Sequence, residues 1–98
     1  MTMMDASLTV IYKYPFFVAD RVIIPMPRSA QILHVECQNG QPCLWAWVDP
    51  RNSVIDHEFA VFGTGHPVPL GCAMEHVATF QERRFVWHMF QICNPKSE

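Results

Sequence analysis

Five histidines and four cysteines lie among 98 residues, so bases, nucleophiles and metal ligands are all on offer. The segment Gly63-Thr64-Gly65-His66-Pro67 sets a hydroxyl and an imidazole beside two glycines. Glycine lets the backbone approach a ligand closely, and successive N–H groups in such a loop can cradle an anion. Gly63, Thr64, Gly65 and His66 are therefore candidate ligand-binding residues, for a nucleotide or a signalling phosphate. Phosphate loops ordinarily open onto a helix whose N-terminus adds to the field. Here Pro67 and Pro69 follow, and no helical pattern does. The competing reading is a shaped turn in which the glycines supply special φ values. Cys72 lies between His66 and His76, and Cys/His pairs can form activated thiolates. No third, orienting group stands out beside them. No catalytic residue is assigned, and the chain reads as a non-enzyme.

Structural zinc sites favour close ligand pairs, typically two to four residues apart. Five residues separate Cys37 from Cys43, and the hairpin derived below sets them on opposite faces. His57, His66, His76 and His88 show no such pairing either. The expectation is no metal and no cofactor.

Recognition is the other chemistry available. Trp and Arg dominate the hot spots of protein interfaces. The candidate partner-binding residues are Trp45, Trp47 and Trp87 as anchors, Arg83 and Arg84 as rim contacts, and His34 beside the indoles. The polar reading of Arg83-Arg84 is a turn that keeps a loop in water.

The element that must position most of them is a hairpin. Asn39-Gly40 is flanked by two β-type runs, Ile32–Gln38 and Gln41–Val48. A type I′ turn needs positive φ at both central residues, which Asn-Gly supplies. With a two-residue loop, Gln38 faces Gln41, Cys37 faces Pro42, Glu36 faces Cys43, Val35 faces Leu44 and His34 faces Trp45. Continued outward, Leu33 faces Ala46 and Ile32 faces Trp47. Side chains alternate across a sheet. One face then carries Leu33, Val35, Leu44, Ala46 and Val48. The other carries Ile32, His34, Glu36, Trp45 and Trp47. The first is the predicted core. The second is either an exposed aromatic patch or a second small core closed by a long loop.

Further strands are predicted at Leu8–Tyr14, Arg21–Ile24 and Val54–Phe62, with a last hairpin His76–Gln81 and Phe85–Ile92 across Glu82-Arg83-Arg84. Pro25 and Pro27, unable to donate to a ladder, are expected to stop the second strand. A long Gly/Pro loop runs over 63–75, and residues 1–7 read as a frayed tail. No segment of ten or more residues has 3.6 periodicity. The fold class is all-β, a single small antiparallel sandwich or partly open barrel of about six to seven strands, in one domain over 1–98.

Composition bounds the partners. Half the residues are hydrophobic and only 16% are charged, which excludes a disordered chain. Net charge is −2, and no basic cluster exceeds Arg83-Arg84, so direct nucleic-acid binding is not expected. No apolar run approaches the ~18 residues of a membrane span, and no signal peptide is read. A cytoplasmic chain keeps its thiols reduced, so Cys37, Cys43, Cys72 and Cys93 are expected as buried thiols. The low charged fraction also points to a homodimer that covers apolar surface.

The order Ile11-Tyr12-Lys13-Tyr14-Pro15, Gln38-Asn39-Gly40, Cys43-Leu44-Trp45-Ala46, Val48-Asp49-Pro50, Phe62-Gly63-Thr64-Gly65-His66-Pro67 and Phe85-Val86-Trp87-His88 resembles a family of small phage and prophage proteins of unassigned function. The likeness covers residues 11–90. It implies a setting in the host cytoplasm and a host protein or protein complex as partner. By analogy of size and lack of catalytic motifs, it implies an anti-CRISPR-like inhibitor that occludes a surface on a host defence or regulatory complex. It carries over no catalytic residue.

Overall fold

The computed structural model describes residues 8–93, and the predicted tail at 1–7 lies outside them. Seven strands follow in order: β1 Val10–Pro15, β2 Arg21–Pro27, β3 Gln31–Gln38, β4 Gln41–Val48, β5 Val54–Gly63, β6 Met74–Glu82 and β7 Phe85–Ile92. There is no helix among the described residues. The strands form two antiparallel sheets, β1-β4-β3 and β2-β5-β7-β6, and no ladder joins the two into a closed barrel.

Apolar burial holds the layers together. β4 contributes Leu44, Ala46 and Val48, and β3 contributes Val35. They meet Val22, Ile24 and Met26 of β2, Phe59 and Val61 of β5, Phe80 of β6 and Met89 of β7 in one buried cluster. Each large side chain so buried contributes about 1.5–3 kcal/mol. Phe16, just past β1, closes one side edge-on to Phe80 at 5.8 Å.

The central hairpin turns at Asn39 and Gly40, with φ of 53° and 80°. That is the positive pair a type I′ turn requires. The predicted register holds from Gln38↔Gln41 through His34↔Trp45, then slips. Ile32 faces Ala46 and Gln31 faces Trp47. A bulge at Leu33 is the cause: one extra residue in β3 reverses every later side chain. Ile32 therefore packs against the core, and Leu33, predicted inside, is 46% exposed.

β2 continues through Pro25 and Pro27 instead of stopping before them. Arg28 N–H donates to Ser53 and Val61 N–H donates to the Asp20 carbonyl, so the even-numbered residues of β2 point their backbone groups at β5. The odd-numbered prolines lack only an N–H that would have faced the open edge. Pro42 is the opposite case, because its missing N–H would have faced the neighbouring chain just past β1. Phe16 N–H donates to the Pro42 carbonyl at 3.0 Å, but Pro42 has no N–H to return. Gln41 Nε2 donates to the Phe16 carbonyl at 2.7 Å in its place.

Candidate functional site

The outer face of β1-β4-β3 gathers Ile11, Lys13, Trp45, Trp47, His34 and Glu36. The register fixes the set, because Ile11 lies opposite Trp47, Lys13 opposite Trp45, His34 opposite Trp45 and Glu36 opposite Cys43. Leu44 and Ala46, on the same strand as the indoles, are fully buried on the other side. Trp47 is 49% exposed and Ile11 57% exposed, so two cross-strand neighbours form an apolar centre in water. Trp45 is half-buried and leans on the His34 ring at 5.9 Å. Polar pairs ring this centre. His34 Nε2 meets Glu36 Oε1 at 2.7 Å, Lys13 Nζ donates to Gln38 Oε1 at 2.6 Å across β4, and Trp47 Nε1 donates to Thr9 Oγ1 at 2.7 Å. An apolar centre inside a polar rim is the anatomy of a protein contact surface.

The remaining predicted anchors do not join this face. Trp87 belongs to β7 and packs partly buried against the core, with Nε1 directed to Glu82 Oε1 at 3.3 Å. Arg83 and Arg84 are the two exposed residues of the β6–β7 turn, which is shorter than predicted because Glu82 pairs with Phe85.

In the Gly63–Pro67 segment, Thr64 N–H donates to the Val86 carbonyl and His66 N–H to the Gly63 carbonyl. Those two amides are committed inside the protein and do not converge on an anion. Gly63 has no positive φ; its need is space, since a Cβ there would stand 3.0 Å from the His66 ring and 3.2 Å from Trp87.

A chain of hydroxyls and imidazoles, which the sequence reading missed, lies on the outer face of the four-stranded sheet. Thr64 Oγ1 is 2.8 Å from His88 Nε2, His88 Nδ1 is 3.1 Å from Thr79 Oγ1, and Thr79 Oγ1 is 3.0 Å from His76 Nε2. One assignment gives each of the four contacts a donor and an acceptor: His76 Nε2–H donates to Thr79, Thr79 O–H to His88 Nδ1, His88 Nε2–H to Thr64, and Thr64 O–H to the Val86 carbonyl. The reversed chain would give His88 the Thr64 proton but would forfeit the Val86 bond. The orienting partner of His88 is a hydroxyl, not a carboxylate. Phe90 flanks the chain, edge-on to His76 at 5.3 Å and to Phe62 at 5.8 Å. The β6–β7 pairing, which sets Thr79 against His88, was the signal available.

His57 is a satisfied core histidine. Its Nε2 lies 3.2 Å from the carbonyls of both Met26 and Pro27, and Gln91 approaches Nδ1 at 3.5 Å. Among the described residues no three His, Cys, Asp or Glu side chains gather as a metal site. The cysteines correct the expectation of four buried thiols: Cys43 is buried and Cys37 half-buried, but Cys72 and Cys93 are exposed. Burial pushes the Cys37 thiol up, and Glu82, Cys43 and Glu36 add to it. Burial, then Tyr12, likewise raises the Tyr14 phenol.

No curated protein and no solved structure matches the chain. One family does, over residues 8–98, so nearly the whole chain is covered. The chain belongs to the family described as a domain of unknown function, DUF7352.

Proposed function

We propose that this chain is a non-enzymatic protein-binding module that acts by covering a surface on a partner protein, with the outer face of β1-β4-β3 as its contact surface. The exposure of Trp47 beside Ile11 carries the reading. A large indole half in water, on a strand whose alternate residues are fully buried, is costly unless something covers it. Trp is also the side chain that most often dominates binding energy at the centre of an interface. The paired polar groups around it leave few unsatisfied donors or acceptors when water leaves. The resemblance to small phage proteins supports a host protein as that partner. Inhibition by occlusion of a defence or regulatory complex is the form such binding takes in this proposal.

The test is recovery of a stoichiometric partner from host lysate by the wild type, Trp47→Asp and Val54→Asp. Val54 is an exposed apolar residue on the other sheet. Trp47→Asp is expected to lose the partner while keeping the wild-type circular dichroism spectrum, and Val54→Asp to retain it. A partner held equally by all three proteins would remove this face from the account.

A further inference from the structure

We infer that the edge of β1, unpaired among the described residues, takes an extended segment of the partner protein as a fourth strand of the β1-β4-β3 sheet. The inference rests on the contact surface proposed above and names how the partner engages it.

Backbone parity identifies the groups on offer. Phe16 N–H bonds to Pro42, and the β1–β4 register runs back from that pair. Hydrogen-bonded and non-hydrogen-bonded pairs alternate along an antiparallel ladder. Val10, Tyr12 and Tyr14 therefore spend their backbone groups on β4. Ile11 and Lys13 turn both N–H and C=O outward, and Pro15 turns out a carbonyl. Such a row repeats every second residue, about 6.8 Å, which is the spacing of another extended backbone and of little else.

The other three edges are blunted. β2 places Pro25 and Pro27 at outward positions. β3 bulges at Leu33 and β6 at Val77, and these two edges lie against each other. Prolines and bulges are the devices by which sheets refuse edge pairing. β1 has neither before its last residue, and its one charged side chain, Lys13, is turned back across β4 to Gln38.

What lies on either side of the β1 edge suits a strand. On the outer face its neighbours are Ile11 and Trp47. At its C-terminal end, an open groove of about 390 Å³ between β1 and β2 is lined by Tyr14, Phe16, Phe17, Arg21 and Ile23. Alternate side chains of an added strand would reach the two. A second copy of β1 fits the ladder less well as an occupant. A six-residue strand is about 20 Å long, and a strip about 10 Å deep buries roughly 400 Å² in total. Stable complexes need about 1,200 Å² or more, so edge pairing of two copies alone is too small, whereas a larger partner adds contacts over the Trp47 face to the strand it contributes.

The probe is a set of random twelve-residue peptides displayed and panned against the full chain. Selected peptides are expected to carry apolar residues at an odd spacing, i and i+1 or i and i+3, so that one side chain lies beside Ile11 and Trp47 and the other enters the groove. Lys13→Pro removes an outward N–H, as Pro25 does in β2, along with the side chain that reaches Gln38, and is expected to bind those peptides at least about tenfold more weakly than Lys13→Ala does. Lys13→Ala loses the same side chain but keeps the N–H, so the difference between the two variants reads the backbone group alone. Should Lys13→Pro melt early, amide exchange of Ile11 and Lys13 in the wild type decides instead, and both should slow on adding peptide. Peptides that bind Lys13→Pro as tightly as Lys13→Ala, unprotected amides, or no selected peptide would each overturn strand addition. So would a free chain that sediments as a dimer dispersed by Lys13→Pro. Loss of the lysate partner in Trp47→Asp would still stand in those cases, which separates failure of the edge from failure of the face.

Discussion

Gln41→Ala removes the donor that serves the Phe16 carbonyl, and the structure fixes how much that should cost. The bond is 2.7 Å, part-buried, and stands in for an N–H that Pro42 lacks. Losing a hydrogen bond costs about 0.5–1.5 kcal/mol, and leaving a part-buried acceptor empty raises the figure to about 1–2 kcal/mol. In a domain of this size that lowers Tm by about 5–10 °C. Stability alone would not identify the mechanism, so a double-mutant cycle is needed. Pro42→Ala restores a backbone N–H at the position that faces the Phe16 carbonyl. In that background Gln41→Ala should cost under about 0.5 kcal/mol, a coupling of about 1 kcal/mol between the two sites. The packing lost with the proline ring is common to both arms and cancels. Urea unfolding of the four proteins measures the cycle. Additivity within about 0.3 kcal/mol would show that Gln41 does not replace the missing donor, and the parity argument for β1 would lose its main support.

Three further outcomes follow from the geometry. Gly63→Ala should destabilise by about 1–2 kcal/mol in thermal or urea melts, because the His66 and Trp87 rings must move away from the added methyl. At pH 8 in the folded state, Cys72 and Cys93 should alkylate rapidly with iodoacetamide and Cys43 and Cys37 slowly, as mass spectrometry of the labelled peptides would read. The Asp49 carboxyl is lowered from 3.8 to about 2, first by its side-chain hydrogen bond from Arg51 and then by the Arg51 backbone N–H. A depressed carboxylate contributes stability above its unfolded value and loses it as pH falls. The Asp49 contribution should therefore fade between about pH 4 and pH 2, and Arg51→Ala should raise the carboxyl titration, followed by NMR, only part of the way to its ordinary range, because the residue-51 backbone N–H still donates to it.

The parts of the fold that follow from local rules were readable in the chain. Asn39-Gly40 fixed a turn, the turn fixed the pairing, and alternation along β4 put Trp45 and Trp47 on the other face from Leu44 and Ala46 as expected. The register failed where a bulge entered, because nothing in Ile32-Leu33-His34 distinguishes a bulged strand from a straight one. Pro25 and Pro27 misled for a different reason. Whether a proline interrupts a strand depends on which neighbour its N–H would have faced, and that is settled by the sheet order. Of the candidate contact residues, His34, Trp45 and Trp47 came together through one hairpin, whereas Trp87 and Arg83-Arg84 sit on the other sheet and share only composition with them. The Thr64–His88–Thr79–His76 chain draws on three strand regions, so its members are remote in sequence until β5, β6 and β7 are aligned.

The most direct measurement uses a chain whose sole indole is Trp47, with Trp45 and Trp87 replaced by Phe. Acrylamide quenching of its fluorescence, in the free chain and in complex with the partner captured from lysate, reads the exposure of that ring in both states. The account predicts strong quenching free and shielding in the complex. An indole already shielded in the free chain, or one quenched equally in the complex, would contradict it.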